Sequence, residues 1–191
     1  MDPFKLFNQW YQEELKRSNV RIPSACCLST IGLDGYPNAR FVSLKELKDE
    51  KFIFTGSLAT RKGSELENIH KLALTFWWSA TERQIRIQGN ASKISDSLAE
   101  KYFNERNRDS QIVSVVSNQG QHVDEPEKLN QKYQEAEILF KDKQIIRPEN
   151  WGGYSVDPIR IELLEFKESR FHSRTLFTNI DGQWEVKYLQ P

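Results

Sequence analysis

Residues 25–56 read ACCLSTIGLDGYPNARFVSLKELKDEKFIFTG, and the fold is decided here. Two sets of turn-formers, Gly32-Leu33-Asp34-Gly35 and Lys48-Asp49-Glu50, cut the stretch into three β-rich runs, Ala25–Ile31, Ala39–Leu47 and Lys51–Gly56. Connections this short leave no room for a crossover helix, so the strands are expected to pair antiparallel. Upstream, Asp2 as a cap, Pro3 at the first helical position and a stripe of Phe4, Phe7, Tyr11 and Leu15 predict a helix over residues 2–17. Downstream, Thr60-Arg61-Lys62 opens a short helix to about Ile69, and Leu72–Trp78 and Glu82–Ile94 read as another strand pair. Ser97 and Glu100 have the spacing of a capping box, starting a helix through about Arg106. Residues 117–127 read as a loop and Pro126–Lys141 as a helix carrying Leu129, Tyr133 and Phe140. Trp151-Gly152-Gly153-Tyr154 reads as a tight turn into a strand at Ile159–Phe166. Arg170–Thr178 and Trp184–Leu189 end the chain, with Asp181-Gly182 a hairpin signal between them.

Strands paired by tight turns, with helices inserted between hairpins, predict a mainly β, α+β fold: an antiparallel barrel with helices packed outside, in one domain over residues 1–191. Neither G-x-G-x-x-G nor G-x-x-x-x-G-K-[ST] occurs, which excludes the Rossmann and P-loop readings. The 27 basic residues balance 27 acidic ones, so a general nucleic-acid or membrane-surface binder is not expected. Cys26 and Cys27 are adjacent and would point to opposite faces of a strand, which makes a poor disulfide. With two cysteines and only His70, His122 and His172, no metal site is expected. No run approaches the roughly 20 apolar residues of a membrane span. The N-terminus has no signal-peptide pattern, so a cytoplasmic location is expected.

Four clusters hold groups suited to anions. Arg40-Phe-Val-Ser-Leu-Lys45 places two cations at positions of opposite parity; they serve one site only if a bulge or strand end intervenes, and otherwise are two solvated charges. Thr60-Arg61-Lys62 stands at a helix start, where free N–H groups favour anions but cations disfavour the helix itself. A bound phosphate would resolve that conflict; a solvated charge pair is the plainer reading. Tyr102, Arg106 and Ser110 form one stripe if the helix runs that far, though Tyr102 could instead pack with Leu98. Arg170, His172 and Arg174 alternate, so a strand would project all three to one face. A bound anion would satisfy them, as would a cross-strand carboxylate from Glu162 or Glu168. No serine–histidine or cysteine–histidine nucleophile stands out, so a phosphorylated cofactor is expected to carry the chemistry.

Taken in order, these clusters resemble the pyridoxine/pyridoxamine 5′-phosphate oxidase family. The resemblance rests on Arg40–Lys45, Thr60-Arg61-Lys62-Gly63 with Glu67-Asn68, Glu82-Arg83-Gln84, Arg108-Asp109-Ser110-Gln111, Trp151-Gly152-Gly153-Tyr154 and Arg170-Phe171-His172-Ser173-Arg174. It implies an FMN-binding split β-barrel acting as a homodimer, with FMN at the interface. By this resemblance Arg40, Val42, Ser43, Lys45, Thr55, Arg61, Lys62, Gln84, Gln119 and Arg174 contact FMN. It likewise assigns Lys45, Tyr102, Arg106 and Ser110 to the substrate phosphate, and Arg170 and His172 to the pyridine ring as the catalytic pair. The implied reaction oxidises C4′ of pyridoxine or pyridoxamine 5′-phosphate to the aldehyde, with O₂ as final acceptor. Leu164 stands where related sequences often have a tryptophan, and Gly120 where a hydroxyl residue is common, so two flavin contacts are expected to be missing. Two alternatives stand beside this reading: a related flavin oxidase acting on another ring, of the phenazine-biosynthetic type, and a binding module without turnover.

Overall fold

The computed structural model describes residues 1–191. The chain runs α1 (Pro3–Arg17), β1 (Ala25–Ile31), β2 (Pro37–Lys48), β3 (Lys51–Ser57), α2 (Arg61–Asn68), β4 (Lys71–Trp78), β5 (Arg83–Lys93), α3 (Asp96–Asn104), α4 (Arg108–Val116), α5 (Glu127–Phe140), β6 (Trp151–Glu165), β7 (Ser173–Ile180) and β8 (Gln183–Leu189). The strands lie in the order β3-β2-β1-β4-β5-β6-β7-β8, and β3 also pairs with β6. That extra pairing closes six strands into an antiparallel barrel and leaves β7 and β8 as an extension.

Alternation fills the barrel. Leu28, Leu74, Ile87, Ile161 and Phe177 are partners in one rung across five strands, and all are buried. Helix α1 seals one end. Asp2 accepts from the Phe4 and Lys5 N–H groups, capping the helix as expected. Phe7 then meets Phe52, Phe76 and Trp78 with ring centroids 4.9, 5.5 and 5.4 Å away. Removing a fully buried ring of this kind typically costs about 3–5 kcal/mol. The buried stripe of α1 is Phe4, Phe7, Trp10 and Glu14 rather than one ending on Leu15, which is exposed. Glu14 is buried because it accepts from Ala80 N and Thr81 Oγ1 in the turn before β5. A smaller core, including Ile53, Tyr102, Phe103, Ile112 and Trp151, joins the outer face of β3 and β6 to α3–α5.

Other expectations are corrected. Trp151–Tyr154 is not a turn but the first part of β6, which runs unbroken to Glu165. Its glycines serve strand closure: a Cβ on Gly153 would stand 2.5 Å from Phe54 O. The cap of α3 is Ser95, whose hydroxyl accepts from Leu98 N, so Ser97 and Glu100 form no capping box. Helix α3 stops at Asn104 and a new helix, α4, starts after the Asn107 cap, so Tyr102, Arg106 and Ser110 share no continuous helical stripe. Strand β7 begins only at Ser173, after a turn in which Arg170 has φ 62°. Asp181 and Gly182, with φ 51° and 83°, make the expected hairpin.

Candidate functional site

The strongest constellation forms where α2 starts beside β1 and β2. Thr60 is the N-cap of α2 by backbone, but its hydroxyl does not cap the helix. It donates to Ser57 O at 3.1 Å and accepts from Lys62 Nζ at 2.9 Å. Lys62 Nζ also donates to Ser57 O at 3.2 Å, and no carboxylate pairs with this buried ammonium. Burial, and then the charge of Arg40, lower its pKa. Gly63 lets α2 sit this close, since a Cβ there would lie 1.8 Å from Leu58 O.

Arg40 and Arg61 converge on the same place through Glu65, a residue the sequence reading passed over. The Glu65 side chain is 0% exposed. It accepts from Thr30 Oγ1 at 2.6 Å, Asn38 Nδ2 at 2.8 Å, Arg40 Nη2 at 2.8 Å and Arg61 Nε at 2.9 Å. Burial opposes its ionisation, but the hydrogen bonds from Asn38, Thr30, Arg61 and Arg40 prevail and bring its pKa down to about 2. The one sequence signal was its i, i+4 spacing from Arg61. Arg40, Thr60, Arg61, Lys62, Gln119 and Gly120 line a cavity of about 210 Å³.

Gln119 also lines a second cavity, of about 310 Å³, with Thr55, Ser114, Ser117, Trp151 and Arg106. The Arg106 guanidinium lies 5.2 Å from the Trp151 ring centroid and donates to Ser110 O at 3.3 Å. Its Nε is buried without a partner, and burial lowers its pKa. Arg106 and Ser110 therefore do meet, across the α3–α4 break and through a backbone oxygen.

At the far end of β2 the pairing with β3 shifts between Leu44 and Glu46, which makes Lys45 the bulged residue. A bulge, one condition for Arg40 and Lys45 to serve one site, is thus present, but Arg40 turns to Glu65 and Lys45 to Glu105. Lys45 pairs with Glu105 at 2.7 Å, and its Nζ is 5.1 Å from the Tyr102 ring centroid. Tyr102 is buried and its hydroxyl donates to Glu46; burial, followed by Glu46, raises its pKa. Val42 packs inward against the barrel core, whereas Ser43 is exposed on the opposite face.

Arg170, His172 and Arg174 do not share a strand face. Arg170 and His172 line a third cavity, of about 390 Å³, with Glu82 and Phe166. His172 Nδ1 accepts from Lys167 N at 3.1 Å, and its ring lies 4.7 Å from that of Phe166. Arg174 instead reaches Glu162 at 2.7 Å, the cross-strand carboxylate that stood as the rival to an anion. Gln84 and Arg174 flank Leu164 in the row Trp77–Gln84–Leu164–Arg174, and neither lines any of these three cavities. No helix is long and apolar enough to cross a membrane.

A closed six-stranded antiparallel barrel with a cationic cavity beside it defines the class as split-barrel proteins. A solved FMN-binding protein from Nostoc punctiforme shares the fold at TM-score 0.82 and 14% identity, covering 100% of this chain and 99% of that one. Residues 12–139 match the pyridoxamine 5′-phosphate oxidase family, and residues 151–191 match the pyridoxine 5′-phosphate oxidase C-terminal dimerisation region. Pyridoxine/pyridoxamine 5′-phosphate oxidases of Trichormus variabilis and Leptospira biflexa are 37% and 39% identical, over 100% of this chain and 89% of each relative. PhzG from Burkholderia lata 383, solved with tetrahydrophenazine-1-carboxylic acid, superposes at TM-score 0.93 with 27% identity, covering 100% of this chain and 93% of that one. The chain belongs to the pyridoxine/pyridoxamine 5′-phosphate oxidase family, and is an oxidoreductase of that type.

Proposed function

We propose that this protein is an FMN-dependent oxidase converting pyridoxine or pyridoxamine 5′-phosphate to pyridoxal 5′-phosphate, with O₂ as electron acceptor. The observation that carries the reading is Lys62, a buried ammonium without a carboxylate, facing a cavity shared with Arg40 and Arg61. A buried charge left unpaired is costly, and a phosphate removes that cost. The residues thus fit the phosphate of FMN, with Thr55, Gln119, Val42, Ser43 and Lys45 completing that contact set. When bound, the flavin supplies the acceptor for the hydride that leaves C4′. The protein's own part is to bind and orient. Arg106, Tyr102, Ser110 and Lys45 grip the substrate phosphate, and the unpartnered Arg106 Nε is the donor in surplus there. Arg170 and His172 act on the ring from their shared cavity.

Gln84 and Arg174 belong to the same cofactor set in a homodimer, contributed across the interface by a second copy. Their face carries the exposed Trp77, and Arg174 lies in the stretch matching the dimerisation region. A second reading, a phosphate-free ring substrate, draws on the PhzG likeness and on one contact pattern: Lys45 and Tyr102 already engage Glu105 and Glu46. One experiment tests both. The purified protein should be yellow, and under air it should turn pyridoxine 5′-phosphate into the aldehyde with release of hydrogen peroxide. Oxidation of unphosphorylated rings in preference would favour the second reading, and a colourless protein that takes up no FMN would end the flavin reading.

A further inference from the structure

Glu65 is the one buried carboxylate among the cations of the α2 cavity, and it joins three elements. Its Oε2 accepts from Thr30 on β1 and Arg40 on β2; its Oε1 accepts from Asn38 on β2 and Arg61 on α2. Four donors saturate the carboxylate, which is itself shut off from water, so neither guanidinium can rotate away without breaking a charged hydrogen bond to it. Lys62, the next residue after Arg61, is not held this way; its ammonium uses Ser57 O and Thr60 Oγ1. One carboxylate therefore locks two cations and leaves the third uncompensated.

The donors left over point to a ligand. Arg61 uses Nε for Glu65 and one Nη2 for Asp34, with Nη1 unengaged. Two of the three N–H bonds of Lys62 have partners. We propose that Glu65 is a positioning residue for phosphate: it fixes Arg40 and Arg61 beside Lys62, so that a phosphomonoester meets donors already oriented. This inference rests on the flavin reading above for its natural ligand, FMN, but the geometry concerns the phosphate alone. Preorganisation of this kind lowers the ordering cost of binding.

Two effects of Glu65 oppose each other. Its negative charge repels a phosphate, whereas its hydrogen bonds place the cations that attract one. In the proposal the second effect is the larger. Glu65→Gln separates them, because the amide keeps one acceptor oxygen but turns an N–H₂ toward groups that themselves donate. The full chain, freed of flavin, is titrated with FMN and with riboflavin, which differ only in the phosphate. The wild type should strongly prefer FMN. Glu65→Gln should reduce that preference by roughly tenfold or more, the scale of one charged hydrogen bond, with riboflavin affinity little changed. Glu65→Asp, which keeps the charge, should recover part of the loss. A preference that is unchanged overturns the positioning role, and one that grows shows that the carboxylate acts only by charge. If Glu65→Gln does not fold, Thr30→Val and Asn38→Ala loosen the carboxylate without removing it. They should lower the preference in the same direction by a smaller factor, and no change would overturn the proposal. Inorganic phosphate separates this inference from the flavin reading. It should raise the Tm of the wild type more than that of Glu65→Gln even if FMN fails to bind, and equal shifts would overturn the assignment.

Discussion

Arg40, Arg61 and Lys62 come from a strand and a helix well separated in sequence, whereas Arg170, His172 and Arg174 are near neighbours. The first three are gathered around one cavity by tertiary packing, with a fully buried glutamate beneath two of them. The second three are dispersed by their local backbone: a left-handed turn at Arg170, a histidine folded onto Phe166, and an arginine committed to Glu162. Density of cations in a sequence is therefore a poor guide to a binding site. What separates the two regions is where the carboxylates draw the cations: Glu65 holds Arg40 and Arg61 around the cavity they share with Lys62, whereas Glu162 draws Arg174 away from Arg170 and His172. The α2 cavity gathers its cations; in the 170–174 segment Arg170 is exposed and only Arg174 is held by a carboxylate.

The difference can be broken by mutation. Arg61→Ala with Lys62→Ala should have the largest effect. It removes two charged contacts of about 1.5–3 kcal/mol each, so the FMN dissociation constant should rise roughly a hundredfold or more; a change under threefold in a fluorescence titration would remove the cavity from the cofactor site. Arg170→Ala should leave FMN affinity intact and lower kcat by about 10²-fold, the scale of one lost electrostatic group. If only KM moved under steady-state assay, Arg170 would be a binding residue like those of the α2 cavity. Arg106→Ala should raise KM for the phosphorylated substrate by about tenfold with a smaller change in kcat, because a handle on a remote phosphate is held in ground and transition states alike. An unchanged KM would transfer the handle to other residues.

The smallest effect is one of pH. The pKa of Glu65 is depressed in the folded protein from 4.5 to about 2. Its contribution to stability is therefore complete above about pH 4.5 and is lost as pH falls toward 2. Acid unfolding followed by circular dichroism should show Glu65→Gln losing less stability than the wild type across that interval. Parallel acid profiles would mean that the carboxylate is not the ionised centre of the α2 cavity.

The antiparallel, tight-turned character of residues 25–56 was legible because strand alternation and turn chemistry are local properties. The capped start of α1 and the Asp181-Gly182 hairpin were legible for the same reason. Trp151–Tyr154 was misread because a glycine pair serves equally for a turn and for close strand approach; only the backbone of β3 beside Gly153 distinguishes them. The start of α3 was misplaced because Ser97-x-x-Glu100 imitates a capping box whereas Ser95 supplies the cap; its end near Arg106 was legible, but α4 was not. For Arg40 and Lys45, sequence could state the condition for convergence, a bulge, but not whether it was met.

The class of fold, the family and the residue types available to bind an anion can all be read along the chain. These follow from periodicity, turn residues and motifs, each readable within a few positions. Which cations are held, and by what, depends on how the elements pack. A carboxylate becomes an organising group when burial removes water as a competitor and its donors arrive from separate elements. Glu65 meets Thr30, Asn38, Arg40 and Arg61 only once β1, β2 and α2 have packed together.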